Sequence, residues 1–335
     1  VLSSCRGSHA ARPPGKAMTK VMAEAPAPGS LKDVSRVEGA ADGGCMSADK
    51  ACAPGEGVRN FYCDVHRKAK NGEFRITYTT DGVVFGSTDK PEDITANVGD
   101  RVFVDVIPIA HTDGFLRLLD RGVEVYYLRR LTLIKKKREE LKLPKTTRGD
   151  IKVLMSLEEK CFRRVSEDFL VMRRLISTYR TMLRTHQQYV SRYKAVSENE
   201  RNELKPVMEA LEEQMNRMAS KISEEAGKRY PAYSKLVEEL GIDGNPYAKE
   251  ALAEILTYID PDRGFIKTAN YFGLFKGRPK IYNKHLRQVL QRLTTSVNNI
   301  SLFRLTARLE KQTLEKIWMA YRQETRGRLA IPAQG

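Results

Sequence analysis

No run in the 335-residue sequence approaches the roughly 18 apolar residues that a membrane-crossing helix needs, so no bilayer-spanning helix is expected. The opening residues, Val-Leu-Ser-Ser-Cys-Arg-Gly-Ser, lack the apolar centre of a secretory signal, and the expected location is cytoplasmic, associated with the nucleoid. Cysteine is scarce: Cys5, Cys45, Cys52, Cys63 and Cys161 make five, an odd set that argues against a disulfide framework. Zinc is disfavoured as well. Cys45, Cys52, Cys63 and His66 are spaced Cys-x6-Cys and Cys-x2-His, without the close cysteine pair that zinc sites normally carry. Residues 1 to about 57 contain no aromatic residue and no apolar periodicity, and their Ala, Gly, Pro and Ser content predicts a disordered segment. The sequence opens without methionine while Met18, Met22 and Met46 follow, which fits an upstream extension.

Positive charge, by contrast, is abundant. The 58 Lys and Arg against 42 Asp and Glu leave a net charge of +16, and such an excess favours a polyanionic partner, nucleic acid first, because neutralised phosphates release counterions. The charge is uneven. Arg129, Arg130, Lys135, Lys136, Lys137, Arg138, Lys142, Lys145 and Arg148 crowd one segment against two glutamates. Leu131, Leu133, Ile134 and Leu141 add an apolar stripe there, so the segment is either a phosphate-contacting surface or a solvated helical face. Lys276, Arg278, Lys280, Lys284 and Arg287, with Tyr282 among them, form a second basic patch suited to strand backbone and base stacking.

From Val58 to Leu128 the pattern is strand-like: 58–65, 73–79 with Phe74, Ile76 and Tyr78 alternating, 82–86 and 101–109. A short helix over 113–121 and a strand over 123–128 complete a parallel crossover unit. Asp64 and Asp105 sit inside apolar strand-like runs, with Asp150 following the basic segment. Burying an ionised carboxylate is costly unless a cation or several hydrogen bonds compensate, so these three acids are the candidate metal ligands. Ordinary strand-end aspartates are the alternative.

Beginning at Phe162, apolar residues recur in steps of three and four through Val165, Phe169, Met172, Ile176, Tyr179, Leu183, His186, Val190 and Tyr193. A second run, Met208, Leu211, Met215, Met218 and Ile222, follows a polar turn, with Pro206 read as belonging to its first helical turn. An antiparallel coiled-coil hairpin over 160–228 is expected, with His186 a packing residue and a homo-oligomer contact along the seam. Beyond Tyr230 the sequence predicts short helices over 232–240, 246–258, 264–272, 282–293 and 300–323. The Gly241-to-Gly244 link fits either a phosphate-holding helix-hairpin-helix turn or a plain interhelical turn.

The order of these parts resembles the DEDD-type transposases of the insertion sequence one-ten group. Phe-Tyr-Cys-Asp64-Val is similar to the family's first acidic strand, and Val-Phe-Val-Asp105-Val to the strand that ends in its second acid, with aspartate for glutamate. Lys145-Thr146-Thr147-Arg148-Gly149-Asp150 resembles the family's Lys-Thr-Asp-x-x-Asp segment, so Asp150 takes the last acid's place while Thr147 stands where an aspartate is usual. Gly241-Ile-Asp-Gly244, Tyr271-Phe-Gly-Leu274 and Leu286-Arg-Gln-Val-Leu290 resemble motifs of its helical domain. The family's nucleophilic serine has no counterpart between Gly273 and Leu293, where Tyr282 is the one residue with a hydroxyl able to attack phosphorus.

The resemblance implies α/β plus all-α architecture: a RuvC-like (RNase H-like) domain over 58–159, the hairpin, a helical transposase domain over 229–325 and a tail over 326–335. It also implies metal-dependent DNA strand exchange directed by a structured guide RNA. Mg2+ or Mn2+ would be held by Asp64, Asp105 and Asp150, with binding of a second ion weakened by Thr147. A relative that binds nucleic acid without cutting it, or that scaffolds a ribonucleoprotein, is the alternative.

Overall fold

The computed structural model describes residues 57–67, 72–275 and 282–329. The expectations for residues 1–56 and for Lys276, Arg278 and Lys280 lie outside the described residues, as do Cys5, Cys45 and Cys52.

Six strands form one sheet in the order β3-β2-β1-β4-β5-β6. β1 (Asn60–Arg67) lies inside it, antiparallel to β2 (Phe74–Thr79) and parallel to β4 (Arg101–Val104). The expected strand over 82–86 is instead a turn, because the Asp81 carboxylate accepts the Val83 and Val84 N–H groups at 2.8 and 2.9 Å. Pairing resumes only at β3 (Gly86–Thr88). The strand expected to reach Ile109 stops at Val104, so Asp105 stands at its carboxyl end rather than within it. α1 (Thr112–Asp120) then crosses to β5 (Glu124–Leu128), which pairs in parallel with β4, as the crossover pattern predicts.

Alternation along these strands builds two cores. Val102, Val104 and Val125 face α1, whose Phe115 and Leu118 are fully buried, while Phe103, Tyr126 and Leu128 face the opposite side. That second side is covered by α2 (Thr132–Glu140) and α3 (Thr147–Met155) through Ile134, Val153 and Leu154. The basic segment is therefore helical, but in two pieces, with Lys142 in left-handed conformation between them at φ 53°.

Phe162 does not begin the helical seam. It lies in β6 (Phe162–Arg164), antiparallel to β5, and the Val165 N–H continues the pairing to the Val125 carbonyl. Phe162 and Val165 face opposite sides of the sheet, so their three-residue step is not part of one seam. α4 (Glu167–Ala195) starts after Ser166, whose side chain accepts the Phe169 N–H. α5 (Glu198–Arg229) returns from a Ser197–Glu200 capping box, which places Pro206 inside the helix rather than in its first turn. The seam is buried only near its base, at Met172, Ile176 and Tyr179 against Met215, Ala219 and Ile222. Further out, Leu183, Val190, Met208 and Leu211 are half-buried, and His186 Nε2 meets Glu212 Oε1 at 3.0 Å across the hairpin.

The helices α6 (Tyr233–Glu239), α7 (Pro246–Tyr258), α8 (Phe265–Tyr271), α9 (Lys284–Asn298) and α10 (Ala307–Leu329) complete the fold. In the 241–244 link the Gly241, Ile242 and Asn245 N–H groups are taken by carbonyls of the link and α6, as in an interhelical turn. Tyr258, at the end of α7, packs against the sheet core as well as the helical core.

Candidate active site

β1 brings Asp64 into the sheet centre, and β4 ends beside it with Asp105. Where the two strands stop pairing, the Val65 N–H donates to Asp105 Oδ1 at 3.1 Å, a bond that fixes the second carboxylate next to the first. Asp64 is buried, and its pKa is raised chiefly by desolvation; the Thr147 side chain and His66 oppose the shift, and the Asp150 charge adds to it. His66 Nδ1 stands 3.2 Å from Asp64 Oδ2. Asp105 is pushed up to about 7, first by burial and then by the Asp64 charge. A buried carboxylate whose pKa is raised by burial and by a neighbouring carboxylate is the arrangement a hard divalent cation relieves.

Asp150 is only partly of this group. It lies at the start of α3, within electrostatic reach of Asp64, but Arg138 Nε donates to its Oδ1 at 2.7 Å in a half-buried pair. Among the described residues, no three acid, histidine or cysteine side chains stand together as a set able to hold one ion. Asp64 and Asp105 could serve as two ligands of a divalent ion, while Asp150 is engaged by Arg138. The Thr147 side chain hydrogen-bonds Asp64. Gly149 is required behind it, since a Cβ there would meet the Pro144 carbonyl oxygen at 2.3 Å.

From Asp105 a cleft of about 440 Å3 runs past the end of β5 to the C-terminal helices. Asp105, Tyr127, Arg129 and Arg130 line its sheet side, Arg173 of α4 its floor, and Tyr258, Tyr271, Tyr282 and Asn283 its helical side. The sequence-predicted acid and the sequence-predicted hydroxyl, separated by more than half the chain, thus face one cavity. Tyr282 is held there by Gly273, whose φ of +72° suits glycine and where any Cβ would meet the Tyr282 ring at 2.7 Å. Asn283 caps α9 by accepting the Leu286 N–H at 3.1 Å and donates Nδ2 to the Tyr271 hydroxyl at 3.0 Å.

The predicted basic residues divide. Arg129 is occupied internally, donating to the Phe162 carbonyl at 2.6 Å and to Asp260 at 2.8 Å. Arg138 is taken by Asp150 and Arg287 by Glu310 at 2.6 Å, so these three serve structure first. Arg130, Lys135, Lys136, Lys137, Lys145, Arg148 and Lys284 remain on or near the surface, Lys136 and Lys137 with Glu140 at 3.9 and 3.1 Å. Arg173 and Arg163 escaped sequence reading, because each belongs to a lone Arg-Arg pair outside the two basic segments. Arg163 donates only to the Thr257 and Tyr258 carbonyls, and Arg173 Nη1 is buried without a hydrogen-bond partner. Together with Arg263, whose pKa is lowered by desolvation and then by Arg129 in particular, they make the neighbourhood strongly cationic.

The Asp105 shift has a measurable consequence. Its pKa rises from 3.8 in the unfolded chain to about 7 in the fold, so its protonated form adds stability that is complete below pH 3.8 and lost as pH rises through about 7. Three pH units correspond to ~4 kcal/mol, and residual solvation of a half-buried group reduces that to about 2. Asp105→Asn is expected to gain that amount over the wild type at pH 8.5 and almost nothing near pH 4, measured as urea midpoints at the two pH values. An equal gain at both would show that the carboxyl titrates normally.

Compared with known proteins, the chain matches no protein-family model and no curated protein.

Proposed function

We propose that this chain breaks and joins DNA phosphodiester bonds, as a divergent relative of the DEDD-type transposases of the insertion sequence one-ten group. The observation that carries the reading is that Asp105 and Tyr282 line one cleft with arginines between them. A sheet whose interior strand carries Asp64 and whose parallel neighbour ends at Asp105 is in keeping with a RuvC-like domain.

Asp64 and Asp105 would hold Mg2+ or Mn2+, which when bound polarises a phosphoryl oxygen and neutralises developing charge. The chain's own groups do the rest. Arg130 and Arg173 position the scissile phosphate. The Tyr282 oxygen attacks phosphorus: an O–P bond forms to the phenol, the bond from phosphorus to the departing sugar oxygen breaks, and that oxygen takes up a proton. Solvent in the open cleft takes the phenol proton and supplies the one gained by the departing sugar oxygen. The exposed lysines of α2, with Lys145, Arg148 and Lys284, contact backbone phosphates of DNA and of a structured guide RNA. The half-buried outer part of the hairpin would pair with a second copy of the chain.

A second reading, a nucleic-acid-binding relative that does not cut, is favoured by the Arg138–Asp150 pair, which removes one acid from metal binding. Nicking of supercoiled DNA by the full chain in 5 mM-range Mn2+ separates the two: metal-dependent nicking supports the enzyme, and tight binding without nicking supports the binding protein.

A further inference from the structure

We infer that the Asp105–Tyr282 cleft is a receptor for one unstacked nucleotide, its base held between aromatic rings and its phosphate by Arg173 and Arg130. This rests on the nucleic-acid reading above and names which form of nucleic acid enters the site. At about 440 Å3 the cleft is in the size range of small-molecule sites and far too small for a duplex. Its walls are unusually aromatic for a site that handles phosphates.

The rings are braced before any ligand arrives. Tyr127 stacks on Phe169 with centroids 5.4 Å apart and planes 12° from parallel, and Arg163 supports Phe169 from 4.7 Å. Tyr271 is fixed by the Asn283 hydrogen bond to its hydroxyl and by the bond from the Asn283 N–H to its carbonyl at 2.9 Å. Preset aromatic faces suit base stacking because every base has a π-face and little ordering remains to be done.

The anionic end is equally specific. Arg173 Nη1 is buried, lines this cleft and has no partner, and an orphaned guanidinium donor of that kind is costly unless something accepts from it. Neither Arg173 nor Arg130 has a carboxylate partner among the described residues, unlike Arg129 beside them. A phosphate attached to a base at van der Waals distance from Tyr127 and Tyr271 satisfies both ends of the cleft. A nucleotide drawn out of its strand presents those two parts with neighbouring bases removed.

The test uses the full chain, a single-stranded oligodeoxynucleotide carrying one 5-iodouracil, and 5-iodo-deoxyuridine monophosphate as a second arm. After irradiation, mass spectrometry maps the crosslinks. The expected result is crosslinking of the oligonucleotide to Tyr127 or Tyr271, competed by unmodified oligonucleotide. Crosslinking of the mononucleotide at the same rings with comparable affinity identifies a free nucleotide, rather than a strand, as the occupant. Tyr127→Leu is expected to weaken oligonucleotide binding about tenfold while Tyr127→Phe, which keeps the ring, does not. Crosslinks confined to the α2 lysine face would overturn the inference and leave the nucleic-acid reading standing. An oligonucleotide that is not retained at all would overturn both.

Discussion

Arg292→Met is expected to destabilise the chain by about 3 to 5 kcal/mol at pH 10, the cost of leaving a buried charge without its partner. Glu250 and Glu254 lie one helical turn apart on α7, and both are almost completely buried. Arg292 of α9 donates Nη2 to Glu250, while Glu254 accepts from Arg180 of α4 and from His285 Nε2 at 2.8 Å. Burial raises the Glu250 pKa, Arg292 opposes the shift and Glu254 adds to it; for Glu254 its cationic partners prevail over burial and lower the pKa. Glu250 is pushed up to about 8 and removing Arg292 drives it further up, so below pH 8 the acid is neutral in both proteins and the variant's deficit should be smaller at pH 5 than at pH 10. Urea unfolding at the two pH values measures this, and the double variant Arg292→Met with Glu250→Met should recover most of the loss. A deficit below about 1 kcal/mol at pH 10 would mean that Arg292 does not hold Glu250 in its charged form.

This network ties α4, α7 and α9 together behind the cleft, and α9 carries Tyr282 and Asn283 at its start. Its role is therefore to hold the helical wall against the sheet. Arg180 extends the link by lying 5.1 Å over the Tyr258 ring, the residue shared by the two cores.

Asp64→Asn should lower the rate of metal-dependent DNA nicking on the order of a thousandfold, about 4 kcal/mol of lost transition-state stabilisation, while DNA binding is retained. The loss follows from geometry. Asp64 is the central member of the acid group, interacting with both Asp105 and Asp150, so no rearrangement of the other two replaces it. Asp150→Asn should cost less, because Arg138 already neutralises that carboxylate. Single-turnover nicking at fixed Mn2+ measures both. Equal losses for the two variants would show that Asp150 leaves Arg138 and joins the ion during the reaction.

The sheet order was legible wherever alternation and turn residues agreed, as in β2 and the β4–α1–β5 crossover. It failed at 82–86, where Val83 and Val84 look strand-like but Asp81 captures their amides, a local competition that hydrophobicity does not reveal. Phe162 and Val165 differ for another reason: an edge strand feeds directly into a helix, and two apolar residues on opposite strand faces happen to continue the helical spacing. The candidate acids were visible as charges in apolar surroundings. Their partners were not, since Arg138 with Asp150 and Arg173 with the cleft depend on chain crossings. The buried pair Glu250 and Glu254 was hidden most completely, because two glutamates at i and i+4 usually mark a solvated face, whereas α7 is buried on every side.

If the cleft joining Asp105 to Tyr282 exchanges phosphodiester bonds, a covalent protein–DNA adduct forms in Mn2+ and survives denaturation, and mass spectrometry maps it. The expected result is a phosphodiester-linked nucleotide on Tyr282, absent from Tyr282→Phe and from Asp64→Asn. An adduct on another residue, or nicked DNA with no adduct at any stage, would contradict it.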